Sequence, residues 1–290
     1  MIARIPETIT LTTTSGRTIA WCEIGHPDGA PVLAAHGSPG SRYQLLPLQE
    51  AASAAGIRIV APDRPGFGGT SPTTASGFHT WDHDALELLD SLGLSRVALL
   101  GFSGGAGYAL ALASVAPERI SRLVLACGMI PGAPRSALAG RIPIVSVLYG
   151  LSRWQPALAT AMLEGRGPFA NTREVNLSAW PEADRAVMAR PETKQLMAPD
   201  SDEGMRQGAR AGIDDLGRYH RPLPEGLGSI PHQVTLVHGT ADGNVPIGVA
   251  RWAALHLPNA SLHEVPGAGH YFAVTAPELI TGALRSGVVR

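Results

Sequence analysis

Three residue types that together perform nucleophilic acyl transfer each follow a short apolar run in this chain. Ser103 follows "VALLGF", Asp242 follows "VTLVHGTA", and His270 follows "LHEVPGAG". A serine hydroxyl at its ordinary pKa is a weak nucleophile, so it needs a base to take its proton and an acid to orient that base. Gly101, Ser103 and Gly105 satisfy G-x-S-x-G between a strand-like run and a helix-like run, the context a nucleophile elbow requires. A tight strand-to-helix turn strains its central residue and brings neighbouring chain close, so the flanking positions must be small. The Ser103 hydroxyl would then project above a sheet. The competing readings are a helix N-cap serine and a phosphate-binding bend. Phosphate binding fails on detail. A Walker loop needs Lys followed by Ser or Thr, and the dinucleotide fingerprint breaks where Leu110 stands at the third position after Gly107.

The elements that must carry these residues are short and apolar. Strand-like runs occur at Thr8–Thr14, Thr18–Gly25, Pro31–Ala35, Ile57–Ala61, Val97–Leu100, Arg122–Cys127, Val234–Val237 and Ser261–Val265. The first two, joined through "SGR", suggest an antiparallel hairpin. The later ones are almost wholly apolar, as strands covered on both faces must be, and helix-like segments separate them. Helical readings fit Ser41–Ala55, with Gly56 as its C-cap, Thr80–Leu92, Ser103–Ala116, Ile247–His256 and Pro277–Ser286. This pattern predicts an α/β fold with a mostly parallel sheet. Residues 1–128 and 230–290 would form its core. Between them, residues 129–229 carry helix-like pieces and no clear strand, which reads as an inserted, mainly helical lid. Loops after three parallel strands would bring Ser103, Asp242 and His270 to one edge of the sheet, where sites of open α/β sheets collect.

The chain order Ser, Asp, His, together with five ordered motifs, resembles the lid-bearing α/β-hydrolase family. The motifs are "HGSPGSR" at His36 to Arg42, "DRPGFGGTSP" at Asp63 to Pro72, "GFSGG" at Gly101 to Gly105, "HGTAD" at His238 to Asp242 and "GAGH" at Gly267 to His270. The resemblance covers nearly everything outside the lid. Acyl transfer builds negative charge on a carbonyl oxygen, which two preorganised backbone N–H groups can stabilise. One donor is the residue after the nucleophile, Gly104, at a helix N-terminus whose dipole assists. The other belongs to the loop after the third strand, where Pro39 has no N–H. The resemblance implies Ser38. Some family members place the acid after an earlier strand, but the corresponding "LACGMIPG" holds no carboxylate, which favours Asp242.

Each remaining candidate has a plainer reading. Among ten histidines, His36 and His238 precede glycines at strand ends and serve turns, and His26 lies in a turn. His220, His232, His256 and His263 have no matching motif. His79 and His83 are four apart, but no third metal ligand is evident. Asp63 and Arg64 read as a hydrogen-bonded or salt-bridged turn. The stretch "APDSDEGMRQGARAGIDD" reads as a solvated helix face. "IPIVSVLYGL" reads both as a helix packed on the core and as an acyl-pocket wall.

Composition narrows the function classes. With 44% hydrophobic and 16% charged residues and a formal net charge of −1, no field would recruit nucleic acid or an anionic membrane. The expected partner is a small-molecule substrate, without nucleic acid or stable membrane association. Cys22 and Cys127 make no disulfide framework, and neither reads as catalytic. The first residues lack a signal-peptide core, so a cytoplasmic protein is the expectation. The reading is a serine hydrolase of small or medium hydrophobic esters or lactones, with no cofactor or metal. Alternatives on the same triad are a proline-iminopeptidase-like peptidase, a carbon–carbon bond hydrolase or a perhydrolase. The resemblance disfavours haloalkane dehalogenases and epoxide hydrolases, which use a carboxylate in the nucleophile slot. From other classes, a non-enzymatic ligand receptor and a cofactor-free lyase or dioxygenase share the skeleton.

Overall fold

In the computed structural model, which describes residues 5–172 and 177–286, the apolar runs align in one eight-stranded sheet. Its strands are β1 (Ile9–Thr12), β2 (Thr18–Gly25), β3 (Ala30–Ala35), β4 (Ile57–Pro62), β5 (Val97–Phe102), β6 (Ile120–Ala126), β7 (Val234–Gly239) and β8 (Ala260–Val265). They lie in the order β1-β2-β4-β3-β5-β6-β7-β8. The first two pairings are antiparallel and the rest parallel, with Leu33 beside Leu99 and Leu125 beside Leu236.

Successive side chains of a strand point to opposite faces, so one run of apolar residues feeds two cores. Leu33, Leu99, Leu123, Leu125 and Leu236 pack on one face with α2 (Asp82–Ser91), α3 (Ala106–Val115) and α9 (Ile247–His256). Val32, Ala34, Leu100, Val124 and Val237 pack on the other with α1 (Gln49–Ala54) and α11 (Pro277–Ser286). Burial on both faces is why these strands show no polar alternation.

Between β6 and β7 the described residues contain no strand. They form α4 (Pro143–Trp154), α5 (Pro156–Leu163), α6 (Glu182–Met188), α7 (Pro191–Gly204) and α8 (Arg210–Arg218), joined by turns and short 3₁₀ pieces. A short helix, α10 (Phe272–Thr275), follows His270. No helix among the described residues is long and apolar enough to cross a membrane.

The expected helix Ser41–Ala55 is the clearest departure. Only Gln49–Ala54 is α-helical, after a 3₁₀ turn at Leu46–Leu48. Upstream, Gln44 N, Leu46 N and Leu48 N each bond the carbonyl three residues back (3.0, 3.1 and 2.9 Å), so the chain turns as 3₁₀, and side chains hold the residues that enter it. Ser41 N donates to Asp200 (2.7 Å), Arg42 N to Asp63 (2.6 Å) and Tyr43 N to Ser41 Oγ (3.2 Å). Gly56 ends α1 at φ +66°, the left-handed conformation its cap position requires.

Candidate active site

Ser103 lies at the turn between β5 and α3 with φ +49°, a region that non-glycine residues rarely occupy. The flanking glycines follow from crowding. A Cβ on Gly105 would lie 1.9 Å from Ala35 O, and one on Gly101 would lie 2.8 Å from Ala106 Cα. Any side chain there would drive the turn away from β3 and from its own helix.

His270 sits after β8 and Asp242 after β7. The structure brings both to Ser103: His270 Nε2 is 3.0 Å from Ser103 Oγ, and His270 Nδ1 is 2.7 Å from Asp242 Oδ2. The carboxylate beside Nδ1 selects the tautomer with a proton there, leaving the Nε2 lone pair facing the serine. The other oxygen, Asp242 Oδ1, accepts the N–H groups of Asn244 and Val245, each at 2.8 Å. Burial alone would raise the Asp242 carboxyl, but the His270 charge and hydrogen bonds from His238 and His270 hold it well below the usual range. For His270, burial opposes the charged form, and the charge and hydrogen bond of Asp242 overcome this and raise its pKa above the ordinary value.

Ser38 and Gly104 also come together. A Cβ on Gly104 would lie 3.1 Å from Ser38 N and 2.8 Å from Ser38 Oγ, and one on Gly37 3.0 Å from Ser103 Cβ, so the Gly37–Ser38 loop adjoins the elbow. Gly37 O accepts Arg64 Nη2 and contacts His36 Nδ1, both at 2.8 Å. Asp63 and Arg64 hold turns, as read from the sequence. Asp63 accepts Arg42 Nη1 (2.6 Å) and Gly69 N (2.8 Å).

The stretch read as a solvated face requires correction, because Asp200 and Asp215 are 6% and 0% exposed. Asp200 on α7 accepts Ser41 N and Oγ (2.7 and 2.9 Å) and Gln44 Nε2 (3.2 Å), and burial pushes its carboxyl up to about 7. Asp215 on α8 accepts Arg64 Nη1 (2.6 Å) and the hydroxyls of Ser38 and Tyr108. Its pKa is lowered, since the charges of Arg64 and Arg218 outweigh burial. A signal existed: Ala209, Gly212, Ile213, Leu216 and Tyr219 mark the inner face of α8, and Asp215 sits three residues after Gly212 on its edge. Asp184 on α6 escaped notice too. Its Oδ1 accepts Tyr271 N (3.0 Å), and a Cβ on Gly269 would lie 2.2 Å from it, which explains the glycine before His270.

A pocket of about 520 Å³ opens above Ser103 and His270. Met129, Leu148, Leu163, Met197, Met205 and Leu216 give it an apolar wall, with Gln44 and Asp200 at one side. "IPIVSVLYGL" contributes Val145, Leu148 and Tyr149, in accord with the pocket-wall reading. A more open cleft of about 400 Å³ at Gln233, Asn259 and Ser261 lies at the other ends of β7 and β8, away from these groups.

His79 and His83 meet carboxylates: His79 lies 2.6 Å from Asp82 and 3.1 Å from Glu225, and His83 lies 3.2 Å from Glu87. Among the described residues, Cys127, His238 and Asp242 are grouped closely enough to ligate a metal, within 4.8 Å. They are already engaged. His238 Nε2 is 2.7 Å from Val245 O, Asp242 is fully hydrogen-bonded, and burial pushes the Cys127 thiol well up. Cys22 is likewise buried, its thiol pushed up to about 12.

A family model described as the alpha/beta hydrolase fold matches residues 30–277. The 2-hydroxymuconate semialdehyde hydrolase of Pseudomonas putida is 30% identical over 251 residues, 84% of this chain and 82% of that protein. A haloalkane dehalogenase of Mycobacterium marinum is 26% identical over 70% of this chain and 69% of its own length. Among solved structures, an esterase from Exiguobacterium antarcticum superposes with a TM-score of 0.69 at 21% identity, covering 97% of this chain and 99% of that one.

Proposed function

The chain belongs to the α/β-hydrolase fold family, and on that premise we propose that it is a serine hydrolase of small or medium hydrophobic esters or lactones. The observation that carries this reading is the relay from Ser103 Oγ to His270 Nε2 (3.0 Å) and from His270 Nδ1 to Asp242 (2.7 Å) at the floor of an apolar pocket. Ser103 attacks the substrate carbonyl. His270 takes the serine proton and returns it to the leaving group, and Asp242 orients and charge-balances the imidazolium. The N–H groups of Ser38 and Gly104 stabilise the oxyanion, each worth about two to three decades in rate. Water then attacks the acyl-enzyme, with His270 as its base.

Residues 129–229 act as the cover of this site, a reading supported by α4, α7 and α8 lining the pocket. The methionine-rich wall, with the basic Lys194 and the acidic Asp200 in its lining, favours apolar acyl groups of modest size, because unbranched thioether side chains adapt to varied shapes. Serine in place of a carboxylate at position 103 argues against the halide-displacing chemistry of the dehalogenase relative.

The resemblance to the Pseudomonas putida enzyme favours a second reading, turnover of a 2-hydroxymuconate semialdehyde or a close analogue. Hydrolysis of p-nitrophenyl esters from acetate to long-chain acyl, run on the protein and on Ser103→Ala, tests the principal reading. Serine-dependent turnover with an optimum at short or medium chains is the expected result. Equal turnover by the folded Ser103→Ala protein refutes it. Activity confined to the semialdehyde in the same pair of proteins transfers the assignment to the second reading.

A further inference from the structure

Both residues assigned to the oxyanion hole are gripped by side chains at the end of one helix, α8, from outside the sheet-bearing part of the chain. Tyr219 directly follows α8. Its hydroxyl donates to Gly104 O, in the peptide after the one that carries the Gly104 N–H, and accepts the Gly107 N–H, each at 3.0 Å, which holds Gly104 and the first turn of α3 in place. Asp215, one turn earlier, accepts the Ser38 hydroxyl and Arg64 Nη1 (2.6 Å). Spaced four apart, Asp215 and Tyr219 share a helix face.

The Gly37–Ser38 peptide shows what the Asp215 side of this grip accomplishes. A trans peptide carries its C=O and its N–H on opposite sides. Arg64 Nη2 and His36 Nδ1 engage Gly37 O, which turns the Ser38 N–H the other way, toward Gly104. Arg64 is tied to this loop at three further points: Nε donates to His36 O (2.9 Å), its backbone N–H to His36 Nε2 (2.9 Å), and Nη2 also to Ser38 Oγ (2.7 Å). Arg64 and Asp215 are both 0% exposed. A guanidinium so buried holds its place only against a carboxylate, and Asp215 supplies it. The chain of dependence runs from α8, through Asp215 and Arg64, to the direction of one backbone N–H.

We propose that Asp215 and Tyr219 are positioning residues that set the two oxyanion donors, so that α8 assembles the site's anion-stabilising half as well as walling the pocket. This rests on the acyl-transfer reading of Ser103 and goes beyond it, since the relay of Ser103, His270 and Asp242 does not involve α8. A residue that merely shaped the pocket would act on substrate affinity. One that aims the donors acts on the tetrahedral state.

The test measures kcat and KM for p-nitrophenyl butyrate, and inhibition by butylboronic acid, in the full chain and in Tyr219→Phe, Asp215→Asn and Ser38→Ala. The boronate's tetrahedral adduct on serine mimics the oxyanion, whereas KM reads the planar ester. Loss of a whole donor costs about 10²–10³, so misaimed donors should lower kcat by roughly ten- to a hundredfold. Boronate affinity should fall by a similar factor, with KM within about threefold. Tyr219→Phe keeps the ring packed on Phe78 at 4.8 Å and Ser38→Ala keeps the backbone N–H. Both therefore carry the test if Asp215→Asn, which leaves Arg64 without its counterion, fails to unfold cooperatively. Folded variants with unchanged kcat, or with loss confined to KM, overturn the inference. A wild-type protein that turns over no ester refutes the hydrolase reading itself, and that result is read before any variant is compared.

Discussion

Replacing Asp242 by asparagine exchanges one oxygen for an NH₂ group and keeps the shape, yet the structure dictates a large effect. Asp242 Oδ1 accepts two backbone N–H groups at 2.8 Å, from Asn244 and Val245, while Oδ2 faces His270 Nδ1 at 2.7 Å. Two donors demand an acceptor, so the asparagine carbonyl must take the Oδ1 position. The flipped amide would strand both N–H groups, at about 1–3 kcal/mol each. The NH₂ then faces His270 Nδ1 and selects the tautomer protonated on Nε2. That proton lies against Ser103 Oγ, and Nε2 can no longer accept from it. With the carboxylate charge also gone, kcat should fall about 10⁴-fold, roughly 5.5 kcal/mol at 1.36 kcal/mol per decade. The same change removes the main influence raising His270. In the wild type this base must lose its proton to act, so kcat/KM should rise with pH along a limb centred above about 6.5. In Asp242→Asn that limb should move to lower pH. Ester hydrolysis followed from about pH 5 to about pH 9 reads both effects. A folded variant with kcat within tenfold of wild type, or with an unmoved acid limb, refutes the reasoning.

Three further outcomes follow from packing and burial. Gly105→Ala places a Cβ 1.9 Å from Ala35 O, and since that contact is backbone, at least about 3 kcal/mol of stability should be lost. A thermal midpoint equal to wild type contradicts this. Arg42→Met strands the buried Asp63 carboxylate, which Arg42 engages through Nη1 and its backbone N–H, each at 2.6 Å. Urea unfolding should show a loss of about 3–5 kcal/mol, and a loss under 1 kcal/mol would show the pair to be dispensable. Asp200 holds its proton up to about pH 7 in the folded chain but releases it near pH 3.9 when unfolded. The native state thus binds more protons between those values, and stability should fall as pH rises from about 4 to about 7. Comparing thermal midpoints of wild type and Asp200→Asn across that range should show the decline flattened in the variant, whereas parallel curves contradict it.

Ser103, Asp242 and His270, proposed as the reacting residues, are legible in the sequence because each follows a strand, and strands buried on both faces announce themselves as short apolar runs. The glycines of the elbow are legible for a related reason: only a residue without a side chain tolerates Ala35 O at that distance. The supports of the Gly37–Ser38 loop, proposed to hold the oxyanion, are not. Asp215 and Arg64 are 151 positions apart, and Asp200 and Ser41 are 159 apart. Helical spacing sets Asp215 at the edge of the inner face and Asp214, with a side chain 40% exposed, nearly opposite, but an aspartate at such an edge reads alike whether it meets water or a buried guanidinium. The same remoteness bears on the helix expected from Ser41: Asp200 and Asp63, which take the Ser41 and Arg42 amides, lie beyond the reach of local periodicity, and the chain they hold turns as 3₁₀ before α1.

The central claim is that Ser103 is the nucleophile, and covalent trapping tests it most directly. The protein treated with an alkyl fluorophosphonate, which reacts with activated serines, would be weighed intact and then peptide-mapped. One adduct is expected, on Ser103, absent from Ser103→Ala and formed far more slowly by Asp242→Asn. An adduct on another residue, or none while esters still turn over, would contradict it.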